Sequence, residues 1–105
     1  MVLTILEAEV SPKKWNELKA AFEKMTKNPP AMAPMHAYLV QSMEDVNIWQ
    51  LMGVWRSRED VQNMQAHGTP RGIQLFRDLG SEPSMSMYDV VGSAVLPESM
   101  PMSQH

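Results

Sequence analysis

"MGVWRSREDVQNMQAHGTP", residues Met52 to Pro70, joins an apolar run to a charged, helix-forming stretch. The run closes on Trp55. Ser57-x-x-Asp60, with Glu59 beside it, then reads as a capping-box-like helix start. Both acids fall in the first turn, where the helix dipole favours them. The junction is therefore a strand that turns directly into a helix, and the helix runs to about His67-Gly68. Thr69-Pro70 repeats the cap-plus-proline device. Ile73, Phe76 and Leu79 mark a second short helix, stopped by Gly80.

Upstream, Ile48 to Arg56 ("IWQLMGVWR") and Met35 to Ser42 ("MHAYLVQS") flank the polar turn "MEDVN", the pattern of an antiparallel hairpin. Val2 to Val10 is β-branched and aliphatic, apolar on both alternating faces until Glu7, and predicts a first strand. Ser11-Pro12 gives a cap and a proline at the first helical position. Trp15, Leu18, Phe22 and Met25, with Ala21 beside them, form one apolar helical stripe, and Asn28-Pro29-Pro30 ends it. Met85 to Val91 ("MSMYDVV") predicts the last strand, with an extension through Val95 left open.

The order is β-α-β-β-α-(α)-β, an α+β, ferredoxin-like antiparallel sheet with its helices on one face. On the hairpin, Tyr38 and Val40 oppose Ala37 and Leu39, while Trp49, Leu51 and Trp55 oppose Ile48, Met52 and Val54. Both sheet faces thus carry large apolar side chains, but one chain has helix enough to cover only one of them. An open face of that kind is an aggregation liability. A homodimer packed through the sheet face, closing a dimeric α+β barrel, removes it. Residues 1–95 form the expected single domain, and 96–105 ("LPESMPMSQH" from Leu96) a tail or an arm lying on the partner.

The 105 residues suit one core, and 44% hydrophobic with 20% charged residues is ordinary globular composition. A net charge of −3 with scattered lysines argues against nucleic acid as a partner. The chain has no cysteine, which excludes disulfides, thiolate metal sites and a cysteine nucleophile, and fits a cytoplasmic location. The first ten residues have no basic start and soon reach Glu7 and Glu9, so they read as a strand rather than a signal peptide. No apolar run is long enough to span a membrane.

Each candidate functional residue has a plainer alternative. Trp55 is either core packing or the wall of a pocket between sheet and helices. His67 either complements the end of its helix and bonds a nearby carbonyl, or acts as a base or orienting group. His36 and Tyr38 share a strand face and both suit a pocket mouth, with Trp49 and Trp55 as aromatic lining. Glu7 and Glu9 matter only if their face is buried, and the strand end argues for exposure. Arg56 and Arg58 suit an anionic substrate or, more simply, surface ion pairs. The 11 methionines raise a thioether copper site at Met85-x-Met87 or Met100-x-Met102, but adaptable packing accounts for them better. Phosphate loops, nucleophile triads and spaced metal ligands are missing from the sequence.

Tyr38 to Leu79 resembles the core signature of the antibiotic biosynthesis monooxygenase-like proteins of the dimeric α+β barrel superfamily. The elements that carry it are Tyr38, Asp45, Asn47, Trp55-Arg56-Ser57, Glu59, Ala66-His67, Thr69-Pro70, and Phe76 with Leu79. With the first strand and helix, the resemblance covers residues 2 to 95. It implies the same fold, a homodimer, and a pocket for a small apolar or aromatic ligand. It also implies an oxygenase-like activity, the oxidation of an aromatic or polycyclic substrate without metal, flavin or other cofactor. Trp55 would then be a pocket wall, with His67, Tyr38 or His36 accepting or orienting a proton. Two departures stand out. Quinone-forming members carry an Asn four residues before the Trp, where this chain has Leu51. Haem-degrading members carry an Asn on the first strand and a His ten residues after the Trp, where this chain has Thr4, Glu7 and Glu9 on that strand and Gln65. The alternative is a non-catalytic, ligand-binding or stress-related protein using the same pocket, and a purely structural subunit is a third.

Overall fold

Alternation along two neighbouring strands sets the architecture. The structure, a computed structural model, describes residues 1–29 and 32–97. Strands β1 (Val2–Glu9) and β3 (Ile48–Trp55) pair antiparallel, from Val2 opposite Trp55 to Glu9 opposite Ile48. This register puts Val2, Thr4, Leu6 and Ala8 on the same face as Trp55, Gly53, Leu51 and Trp49, and all eight are buried. Strand β2 (His36–Gln41) flanks β3 and β4 (Ser84–Asp89) flanks β1, giving one antiparallel sheet in the order β2-β3-β1-β4.

The helices cover that one face. After a 3-10 turn at Pro12–Lys14, α1 (Trp15–Lys27) sends Leu18 into a core with Leu6, Trp49 and Leu51. Leu75 and Phe76 from α3 (Arg71–Arg77) complete this core. Val61 of α2 (Arg58–Ala66) packs against Val2 and Trp55 in a second cluster. The ferredoxin-like α+β arrangement expected from the sequence is the one observed. No helix among the described residues is long and apolar enough to cross a membrane.

The Ser57 cap forms as expected, its Oγ accepting from the Asp60 amide at 3.2 Å. The hairpin turn is held the same way: Ser42 Oγ accepts from the Glu44 and Asp45 amides, and Asp45 Oδ1 from the Asn47 amide. Gly68 and Gly80 take φ of 103° and 80°, left-handed conformations that let the chain leave α2 and the last turn after α3.

Three expectations need correction. Pro70 is itself the residue preceding α3, so Thr69 does not cap it, and Ser11 makes no side-chain cap because the chain enters α1 through the 3-10 turn. The last strand stops at Asp89 rather than reaching Val91 or Val95. Its ladder with β1 closes there, where Val2 stands opposite Asp89 and the Val90 amide donates to the Met1 carbonyl at 2.9 Å. Of the proposed 96–105 tail, Leu96 and Pro97 are exposed and non-helical, and residues 98–105, with the Met100-x-Met102 pair and His105, lie outside the described residues.

The other face is uncovered. Leu3 and Ile5 lie beside Val54 and Met52, with Tyr38 and Val40 on one flank and Tyr88 on the other. Tyr38 is 53% exposed and Tyr88 55%, so two large rings stand in solvent in a single chain. Glu7 and Glu9 are exposed at one end of this face, where Gln50 Nε2 donates to Glu7 Oε1 at 2.8 Å.

Phe76 has no exposure at all, so Phe76→Ala should lower unfolding free energy by about 3–5 kcal/mol. Ser57→Ala, which removes only the α2 cap, should cost about 1 kcal/mol. Urea denaturation of the two variants checks both values and their order.

Candidate functional site

Gly53 is the one residue without a side chain on the helix-facing side of β3, between Leu51 and Trp55. A Cβ there would sit 3.0 Å from both Thr4 Oγ1 and Trp55 Nε1. The missing side chain lets the Trp55 indole lie back along its own strand. Its Nε1–H donates to Thr4 Oγ1 at 2.9 Å, while the hydroxyl has only a long 3.5 Å approach to the Gly53 carbonyl. The hydroxyl proton is therefore weakly engaged and free to turn toward a ligand. Both side chains are buried, and this hydrogen bond fixes the ring plane.

Above this pair lies a cavity of about 470 Å³. Its floor is the sheet centre, with Leu6 and Leu51 beside Thr4 and Trp55. Met25 and Thr26 at the end of α1 form one wall, Met64 of α2 and Gly72 of α3 another, and the connection before β2 runs along the mouth. Gly72 makes room in its turn: a Cβ there would lie 2.8 Å from the Leu51 and Leu6 methyls. Thr26 Oγ1 already donates to the Glu23 carbonyl. The interior is apolar except for the Thr4 hydroxyl, with His36 and Arg71 as polar groups at the rim. A smaller recess of about 150 Å³, bordered by Asp60 and Asn63, also touches Trp55.

Of the residues singled out from sequence, Trp55 lines the main cavity, and His36 borders it at the start of β2, in a register that puts its side chain on the same face as Tyr38. Trp49 does neither. It is buried six residues away along β3, roughly 20 Å, in edge contact with Trp15 at 5.8 Å between ring centroids. Its indole N–H has no hydrogen-bond partner among the described residues, whereas that of Trp15 donates to the Val10 carbonyl. Tyr38 stands on the uncovered sheet face and borders none of the cavities described here. His67 follows the last turn of α2, exposed, with Nδ1 donating to the Asn63 carbonyl at 2.7 Å, and it too lies outside the cavities. The structure therefore does not gather Trp55, Tyr38 and His67 into one site.

Arg58 and Arg56 part ways as well. Arg58 forms a two-pronged pair with Asp89 that ties α2 to β4, and the hydrogen bonds hold the Asp89 carboxyl below its usual range. Arg77 does the same to Glu82. The Met85 and Met87 sulfurs both lie near the Gln65 amide, at 3.9 and 4.0 Å. Among the described residues no three His, Asp or Glu side chains stand together as a metal cluster. Thr4, Gly53 and Arg71 are the site residues that sequence reasoning did not single out for a role. The signal available for the first two was a glycine inside an otherwise bulky strand, two residues before the tryptophan.

No protein-family profile matches the chain, and no curated protein does. Solved structures do. The heme-degrader MhuD of Mycobacterium tuberculosis superposes with a TM-score of 0.68 at 18% identity, over 90% of this chain and 100% of its own. A protein of Deinococcus radiodurans classed with the antibiotic biosynthesis monooxygenases gives 0.67 at 10% identity, over 94% and 100%. One of the same class from Nitrosomonas europaea gives 0.64 at 19%, over 86% and 89%. At these identities the likeness is one of fold, and it is the fold that the resemblance in the sequence implied.

Thr4→Val keeps the shape of residue 4 but leaves the Trp55 N–H buried without an acceptor. It should destabilise the protein by about 1–3 kcal/mol. In a Trp55→Phe background the same change should cost less, with a coupling of at least about 0.5 kcal/mol in a double-mutant denaturation cycle.

Proposed function

We propose that this chain binds a small, largely apolar aromatic molecule in the cavity above Thr4 and Trp55. The carrying observation is the cavity itself. About 470 Å³ of space is walled by apolar side chains, with a flat indole held in place and one buried hydroxyl beside it. That combination of apolar walls and few placed polar groups is what small-molecule sites use. The fold accommodates such ligands elsewhere, since MhuD holds two hemes in its active site. Haem itself does not suit the residues here. The imidazole at the end of α2, His67, points away from the cavity and is bonded to Asn63, so α2 offers no axial ligand.

A second reading, cofactor-independent oxidation of the bound aromatic, is supported by the oxygenase class of several structural neighbours. In this reading Thr4 Oγ positions a substrate oxygen, Trp55 holds the ring, and the substrate gives up its proton at the mouth of the cavity. The substrate anion then forms a C–O bond to dioxygen, the peroxide takes up the proton, and loss of water leaves a carbonyl, so one oxygen atom enters the product and the other leaves as water.

The proposal includes a homodimer. The uncovered face presents Leu3, Ile5, Val54 and the two exposed tyrosines as one apolar surface, and a second copy would bury it. A cysteine-free chain of this kind fits the cytoplasm.

An anthrone-type or naphthol probe should quench tryptophan emission of the wild type. Trp55→Phe should remove most of that response, and His67→Ala and Tyr38→Phe should leave it largely intact. No quenching in the wild type overturns the binding reading. Under air, protein-dependent oxygen uptake with the probe that falls in Thr4→Val supports oxidation, and uptake no greater than in the absence of protein rejects it. Sedimentation should give twice the 11.9 kDa chain mass, and Ile5→Glu should shift the protein to monomer. A wild-type monomer at tens of micromolar rejects the dimer.

A further inference from the structure

The cavity carries a charge asymmetry that shape alone does not explain. The chain holds 12 acidic and 9 basic residues, yet no Asp or Glu lines the cavity among the described residues. The permanently charged side chain there is Arg71. We propose that the ligand is an organic anion, an aromatic or other apolar carboxylate whose charged end seats against Arg71 while its body lies over Trp55 and Leu51. This rests on the cavity being a small-molecule site and names the class of molecule it takes.

The argument begins with what Arg71 already does. Its Nη1–H donates to the Asn28 carbonyl at 3.2 Å, which ties the start of α3 to the end of α1 across the cavity mouth. That bond orients the guanidinium but does not neutralise it. Arg58 and Arg77 are each clasped by a carboxylate, whereas Arg71 has none within 4.0 Å among the described residues. A guanidinium has five N–H donors in a planar fork. With one used on Asn28, enough remain to meet both oxygens of a carboxylate, the geometry that planar fork matches best.

Position follows from packing. Arg71 opens the turn whose next residue, Gly72, is pressed against Leu51 and Leu6 too closely to admit a Cβ. The backbone of residue 71 is thus held against the cavity floor and not on a loose loop. Thr4 Oγ lies at the floor and serves an oxygen on the apolar body. A ligand with one negative end and one aromatic body uses all of these groups, while a neutral hydrocarbon would leave Arg71 without a counter-charge.

The test is a matched pair of probes, 1-naphthoate and 1-naphthylmethanol, titrated into the full chain by tryptophan quenching. They share a ring and differ in charge. In the wild type at low salt the carboxylate should bind roughly five- to tenfold tighter. The ratio should shrink toward one at about 0.5 M salt. Arg71→Gln, which removes the charge and keeps a polar side chain, should bring the ratio close to one with little effect on the neutral probe. Arg71→Lys should keep part of it. Arg56→Gln, a basic residue outside the cavity lining, should leave it unchanged. Equal binding of both probes to the wild type overturns the anion assignment and leaves the binding reading standing. A ratio that survives in Arg71→Gln overturns the role of Arg71. Failure of both probes, and of the neutral probes named above, strikes the binding reading itself. Should Arg71→Gln fold poorly, the salt dependence of the wild-type ratio still decides between charge and shape.

Discussion

The pairing of β1 with β3 is the constraint on which everything else rests. Side chains on a strand alternate, so a single register decides for eight residues at once whether they meet the helices or the opposite face. With Val2 opposite Trp55, both buried tryptophans of β3, Thr4 and Gly53 all turn toward the helices. A slip of one residue would turn one strand over against the other, putting either Glu7 into the core or Gln50 into it with both tryptophans in solvent. The hydrophobic pattern of both strands rules that slip out, which is why a chain with little helix keeps one defined sheet.

The element order was readable because its signals are local. Ser57 and the acids after it, the apolar stripe from Trp15 to Met25, and the polar turn at Asp45 each need only a few neighbours to be interpreted. Reading was poorest where an outcome depends on a distant partner. Where β4 ends depends on its ladder with β1, whose Val2 lies 87 residues before Asp89 in the chain. Pro70 could not be told apart as first helical residue or as the residue before it, because the same dipeptide suits both.

The site shows the same division. Trp55 was picked out by its place at a strand end, and it does line the cavity. Trp49 sits on the same face at the other end of the same strand, and alternation cannot say which end lies over core and which over open space. That depends on where α1 and α3 stop covering the sheet. His67 was placed by counting along α2, but it follows the last helical turn, where its ring finds the Asn63 carbonyl at once. Arg71 drew no attention in sequence because a lone arginine after a proline is ordinary. Its meaning comes from the company it keeps around the cavity, and composition averages that away.

Trp55 borders both the main cavity and the smaller recess beside Asp60 and Asn63. The indole is therefore a partition, and one hydrogen bond to Thr4 keeps it standing. With that bond made, the ring stands between the two spaces, so a single hydroxyl on the neighbouring strand helps to set the bounds of both.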